Sequence, residues 1–167
     1  MLTQDERRAK IASYGRSYAD LIEALKEAPL EMWKYKPTAK DWSVHEILIH
    51  LGDSEANSIM RFRKPVAEPG STLMVYNQDG FANTLHYHNL STDTALALLK
   101  SVRTSNFELL QTLPDAVFAN TVEHPANGTL SLDDILVMYE AHLVGHIRQI
   151  REVVAAYHHA EGTTSAS

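Results

Sequence analysis

Apolar residues return at alternating spacings of three and four through four long stretches of this chain, which leaves helices packed on helices as the way to bury them. In the first stretch, residues 3–27, the repeat is Ile11, Tyr14, Tyr18, Leu21, Ile22 and Leu25, and Pro29 closes it. The second opens at Ser43-Val-His-Glu46, the form of a capping box, in which the serine hydroxyl and the glutamate carboxylate satisfy amides at a helix start. Its stripe is Val44, Ile47, Leu48, Leu51, Ile59 and Phe62, and Pro65, which cannot continue a helix, predicts an end just before it. Ser91 offers a cap for a third helix carrying Leu96, Leu99, Val102, Leu109, Leu110 and Leu113, stopped by Pro114. Ser131-Leu-Asp-Asp134 caps a fourth and sets two carboxylates in its first turn, where the helix dipole favours them. That helix carries Ile135, Met138, Tyr139, Leu143, Ile147, Ile150, Val153, Val154 and Tyr157 on one stripe.

The connections complete the plan. Residues 32–42 join the first two helices with a proline and several aromatics, and Trp33 and Trp42 are expected as lids on the core. Residues 65–90 are interrupted by Pro65, Pro69, Gly70 and Gly80, with one short helix expected around 77–87. Residues 115–130 contain Pro125 and the turn signal Asn127-Gly128, and no stretch alternates as a strand would. The expectation is an all-α antiparallel four-helix bundle with a long connection between helices two and three. A chain of 167 residues encloses a core without staples, so one domain over residues 1–160 is expected, followed by a flexible polar tail, 161–167.

Composition removes several classes of function. Against 21 acidic residues stand 15 basic ones, a formal charge of −6, with no stripe of lysine and arginine for a phosphate backbone, so nucleic acid is not an expected partner. With no cysteine there is no thiolate nucleophile, disulfide or cysteine-zinc site, and His, Asp and Glu are the metal ligands left. No apolar run approaches the ~20 residues of a membrane span and the amino terminus lacks the apolar core of a secretion signal, so the expected location is cytoplasmic, with no membrane partner.

The chemistry concentrates on His142 and His146. Four residues apart on a helix, their rings are offset by about 40° and about 6 Å, so both can reach one ion beside the helix. Their arc adjoins the apolar stripe, so they look inward and need partners. Two core histidines hydrogen-bonded to backbone or to each other would satisfy that need as well as a metal does. A metal site requires a further ligand from a facing helix, and His50, at the edge of the second helix's stripe, is the best placed. His45 sits in a first turn, while His86, His88, His124, His158 and His159 fall in connections or at a terminus. Asp53 and Glu46 flank His50 at three and four residues; Asp53 is a candidate to orient a ring from behind, whereas Glu46 is explained by its cap. Glu55 falls near the centre of the second helix's apolar face, so its carboxylate must be paired or protonated. Arg103 is its expected partner, in a structural ion pair or beside a catalytic base.

Asp41-Trp-Ser-Val-His-Glu-Ile-Leu-Ile-His-Leu-Gly-Asp-Ser-Glu55, the Arg103 position and His142-Leu-Val-Gly-His-Ile-Arg-Gln-Ile150 together resemble the DinB-like superfamily, which includes YfiT-type metal-dependent hydrolases and low-molecular-weight thiol transferases. The resemblance spans nearly the whole chain. It implies an antiparallel four-helix bundle of DinB/YfiT type, a divalent metal held by His50, His142 and His146, and a homodimer. Zinc or nickel is the metal implied; three imidazoles also accept iron, cobalt or copper.

Two enzymatic readings follow, with Glu55 and Asp53 as the candidate catalytic carboxylates. In one, the open metal position activates a low-molecular-weight thiol for transfer to a small-molecule electrophile; in the other it activates water for hydrolysis. The alternative is a non-catalytic, metal-stabilised ligand-binding or stress-related module, which a closed coordination shell and a connection sealing the site would support. Tyr76, Tyr87, His86 and His88 stand either at an entrance or simply on the surface.

Overall fold

The structure, a computed structural model, describes residues 1–164. Helix α1 spans Gln4–Leu25, α2 Val44–Ala67, α3 Gln78–Thr84, α4 Thr92–Thr112 and α5 Leu132–Thr164, and a hairpin of β1 (Thr121–His124) and β2 (Gly128–Ser131) precedes α5. The caps are those the sequence predicts. Ser43 accepts from the Glu46 amide while Glu46 reaches back to the Ser43 N–H at 2.9 Å, and Ser131 and Asp134 make the equivalent exchange at the start of α5.

Side-chain pairs between helices give their directions. Arg7 and Lys10 of α1 reach Asp133 and Glu140 of α5, and Glu27, just past α1, meets Arg151, so α1 and α5 run parallel. Gly52 packs on Ala95, Glu55 binds Arg103 and Arg63 binds Asn106, so α2 and α4 also run parallel. Tyr14 with Asn106 and Ser17 with Arg103 set α1 against α4, as His50 with His142 and Phe62 with Tyr139 set α2 against α5. Around the bundle the order is α1, α5, α2, α4, with α1 to α2 and α4 to α5 each crossing a diagonal. The long connection returns the chain along α2, which lets α4 start where α2 started.

Two apolar clusters fill the interior. One gathers Leu21, Leu25, Met32, Ile47, Leu48, Leu51, Leu99, Leu143 and Ile150; the other gathers Tyr14, Phe62, Leu110, Phe118, Val122, Ile135 and Leu136. Between them every bundle helix contributes to a polar layer: Ser17 from α1, Ser54, Glu55 and Ser58 from α2, Arg103 and Asn106 from α4, and the Tyr139 carbonyl from α5. Trp33 caps the first cluster, its indole N–H donating to the Ala28 carbonyl at 2.9 Å.

Three features differ from the sequence reading. Residues 121–131, expected as an irregular connection, pair as a two-stranded antiparallel hairpin turned at Gly128, whose φ of 73° suits glycine. Segment 70–73 joins it, with Leu73 N–H donating to Glu123 and Glu123 N–H to Ser71, so the hairpin anchors the long connection. Helix α2 passes through Pro65 to Ala67: the ladder closes beyond the proline, with Glu68 N–H donating to the Lys64 carbonyl at 2.7 Å, and the Pro65 carbonyl accepts from Asn120. The short helix is confined to Gln78–Thr84; beyond it His86 turns into left-handed backbone, φ 53°, and drops Tyr87 against Ile49 and Ala95. Of the expected tail, the part up to Thr164 continues α5, and 165–167 lie outside the described residues.

Candidate metal centre

His50 points from α2 across the α2–α5 seam, where α5 presents His142 and His146 one turn apart. His50 Nε2 and His142 Nε2 stand 3.1 Å apart, as do His146 Nε2 and His142 Nε2. Candidate ligand nitrogens on the three rings all lie within 4.8 Å of one another. Three nitrogens at ~2.0–2.1 Å from one tetrahedral ion are ~3.3 Å from each other, so this spacing fits a divalent transition metal without moving a helix.

The rings are held in the protonation state a ligand needs. Burial, reinforced by the neighbouring His146 and His142, pulls His50 down to about 3. Burial pulls His142 equally to about 3, helped by His146 and by the charges of Arg103 and Arg61. Burial also lowers His146, against the opposing hydrogen bond that its ring gives to Gln149 Oε1. Neutral imidazoles keep a lone pair for a cation.

Behind two of the rings stands a second layer. His146 Nδ1 meets Gln149 Oε1 at 2.8 Å, and Trp42 stacks parallel on the His146 ring while its edge meets His50. His50 Nδ1 lies 3.3 Å from the Tyr76 hydroxyl, which lies 3.4 Å from that of Tyr87, which donates to Asp53 Oδ2 at 2.6 Å. Asp53 is thus connected to His50 through two tyrosines of the long connection. Hydrogen-bonded neighbours of this kind fix ring orientation and tautomer.

Glu55 is placed elsewhere. Only 2% exposed, it is bound by Arg103 Nη1 at 2.7 Å, by the Tyr14 hydroxyl and by Ser58 at 3.3 Å. Arg103 is completed by the Tyr14 carbonyl, Ser17 Oγ and the Tyr139 carbonyl. Burial pushes the Glu55 carboxyl up, and the Arg103 charge with the Tyr14 and Ser58 hydroxyls pulls against it.

A cavity of about 230 Å³ opens on the triad, with His50 and His142 in its wall beside Ser54, Arg61, Tyr76, Gln78, His124, Asn127, Met138 and Tyr139. Neither Asp53 nor Glu55 lines it. His45, whose Nε2 meets the Tyr87 carbonyl at 3.1 Å, does not join the triad, and His86 and His88 are exposed.

A sequence profile of the DinB superfamily matches residues 13–150. The chain belongs to the DinB superfamily. A Bacillus subtilis protein named "Putative metal-dependent hydrolase YfiT" is 28% identical over 113 residues, 67% of this chain and 64% of that one. A Bacillus mycoides relative whose name also reads "Putative metal-dependent hydrolase" is 27% identical over 136 residues, 80% of this chain and 78% of its own. The solved structure of YfiT, described as "a probable metal-dependent hydrolase with an unusual four-helix bundle topology", superposes with a TM-score of 0.84 at 23% identity, over 92% of this chain and 88% of that one.

Within this DinB chain, several site residues carry no local signal. The sequence reading does not single out Gln149, although its place one turn beyond His146 is the helical-spacing signal that could have found it. Tyr76 and His124 come from connections and Arg61 from the flank of α2, and they meet the triad through the way segment 70–87 and the hairpin fold back. Trp42, expected as a core lid, covers His146 and His50 as well.

Proposed function

We propose that His50, His142 and His146 hold a divalent transition metal and that the protein is an enzyme activating a small nucleophile in the adjoining cavity. The observation that carries this reading is the convergence of three neutral imidazoles, two of which, His50 and His142, stand in the wall of an accessible cavity. A buried triad serving only as structural glue would have its remaining side closed by protein. An ion in that position supplies Lewis acidity, which lowers the pKa of a water or thiol and accepts the charge that develops. The chain's own residues do the rest: Gln149 and the Tyr76–Tyr87–Asp53 chain orient the rings, Trp42 excludes water from behind, and Tyr139, its hydroxyl donating to the Ser54 carbonyl, lines the cavity.

Hydrolysis agrees with the relatives' names. Thiol transfer is favoured by one feature of this cavity: among the described residues its wall holds no carboxylate, leaving His124 as the one group there outside the triad able to take a proton from water. A thiol starts with a pKa near ~8.5 and needs less help than water to deprotonate. Asp53 and Glu55, engaged with Tyr87 and Arg103, act in this reading as positioning and structural groups. A homodimer belongs to the same proposal and is read by sedimentation velocity.

Two experiments test the reading. Protein purified without an affinity tag is expected to carry about one equivalent of metal, lost in His142→Ala; equal metal in both ends the proposal. A panel of electrophiles is then assayed with and without low-molecular-weight thiols, and turnover that ignores added thiol assigns hydrolysis and rejects transfer.

A further inference from the structure

The wall of the cavity is unlike the rest of the molecule. The chain as a whole is acidic, with 21 carboxylates against 15 cationic side chains. Yet the cavity is lined by one guanidinium, two metal-site imidazoles, a third imidazole, amides and hydroxyls, with no Asp or Glu among the described residues.

Arg61 is the centre of this wall. Its guanidinium donates to the Met74 carbonyl at 3.2 Å, which fixes it without neutralising it, and no carboxylate pairs with it among the described residues. Burial lowers His124 and raises Tyr139, and the Arg61 charge adds to the first shift and opposes the second. The two buried arginines are paired, Arg7 with Asp133 and Arg103 with Glu55, and the half-buried Arg63 spends its guanidinium on Ile59, Ser105 and Asn106.

His124 adds a second donor. Its Nδ1 accepts the amide N–H groups of Ala126 and Asn127, both at 3.2 Å, so the ring proton sits on Nε2, for which no hydrogen-bond partner stands among the described residues. The hairpin turn therefore locks the tautomer and leaves an N–H donor at the cavity wall. The Gln78 and Asn127 amides stand nearby.

We propose that this cavity takes a small substrate bearing a carboxylate, held by the Arg61 guanidinium and the His124 Nε2–H while its reacting end lies at the three histidines. Beyond the N–H given to Met74 and the contact with Tyr139, the Arg61 guanidinium keeps N–H groups that no carboxylate takes among the described residues, and a guanidinium is the cation best matched to a carboxylate. The volume of about 230 Å³ lies below the ~300–1,000 Å³ of sites for drug-sized ligands, so the substrate is a few carbons long. The inference rests on the proposed function for the role of the reacting end; the anion contact itself does not require the metal.

The test uses the full chain, isotopically labelled and loaded with zinc, titrated with succinate, with its neutral isostere succinamide and with inorganic phosphate. The His124 ring and the Gln78 and Asn127 side-chain amides are followed by NMR. Saturable shifts with succinate are expected, at least tenfold tighter than with succinamide, together with at least a tenfold loss in Arg61→Met and partial recovery in Arg61→Lys. Equal binding of the two isosteres, succinate binding unaltered by Arg61→Met, or phosphate binding tighter than succinate overturns the proposal. In parallel, the cobalt form is titrated with 3-mercaptopropionate and 2-mercaptoethanol, reading the thiolate-to-cobalt absorption. A tenfold preference for the mercapto acid that vanishes in Arg61→Met supports the inference. Failure to retain cobalt or zinc sinks the proposed function, while the succinate titration on the same protein still decides the anion site.

Discussion

At the scale of single residues, the triad depends on what stands behind each ring. With a cation on Nε2, His50 keeps its proton on Nδ1 and donates to Tyr76, Tyr76 donates to Tyr87, and Tyr87 donates to Asp53, so every hydroxyl in the chain gives and receives once. Tyr76→Phe breaks this at the ring and is expected to weaken zinc binding by about tenfold, within the 10–100-fold usual for such neighbours, with unchanged helicity. Competition with a chromophoric chelator measures it, and an unaltered affinity removes the positioning role. Glu55 belongs to a different economy, since its partners are all interior. Glu55→Gln leaves Arg103 charged and unpaired in the core and is expected to cost about 3 kcal/mol of stability, at the lower end for a broken buried pair, with metal content intact. Urea unfolding with metal analysis reads both; full stability with lost turnover would make Glu55 catalytic. Much of the triad was legible in the sequence, because His142 and His146 share a helix face and His50 adjoins an apolar stripe. The sequence places Tyr76 only at an entrance or on the surface and marks neither Arg61 nor His124 as a site residue, because their proximity arises from tertiary folding that no local spacing encodes.

At the scale of elements, the helices were readable because each has an apolar stripe long enough to show its period and a side-chain cap to mark its start. The hairpin escaped because two strands of four residues are too short to establish an alternation, leaving only the Asn127-Gly128 turn visible. Pro65 misled for a related reason: the prohibition on proline is absolute only for the hydrogen bond it removes, and one lost bond in the last turn is outweighed by burial of its ring. The start of α2 matters most for the site, since His50 sits two turns into it. Ser43 is nearly fully buried and both accepts from and is gripped by Glu46. Ser43→Ala is expected to lower stability by about 1 kcal/mol. Because the interior of α2 is held by α4 and α5, the same variant should retain its metal, and loss of metal in thermally stable protein would show that the cap positions the ligand directly.

At the scale of the whole molecule, burying three imidazoles in a bundle sets its response to acid. His50 and His142 are held down to about 3 by burial, whereas in the unfolded chain they return to the ordinary imidazole range near ~6.5. Between those limits the unfolded state binds more protons than the folded one, so the stability of the metal-free protein falls as pH drops from about 6.5 toward 3 and is fully restored above 6.5. Each ring contributes at most about 1.4 kcal/mol per pH unit. A divalent ion steepens the dependence, because it binds only the folded, neutral triad: at a concentration 100 times its dissociation constant it adds about 2.7 kcal/mol, an increment that competing protons erode. Replacing His50 and His142 together by glutamine removes two of the three titrating rings, leaving His146, while keeping polar side chains of similar reach. Urea midpoints of the metal-free native protein should therefore decline more steeply between pH 7.5 and 4.5 than those of the double variant, and zinc should raise only the native midpoint. Parallel curves would mean that the rings are solvated in the folded state, and a bundle that hydrates its triad so freely would have no enclosed cavity in which to activate a nucleophile.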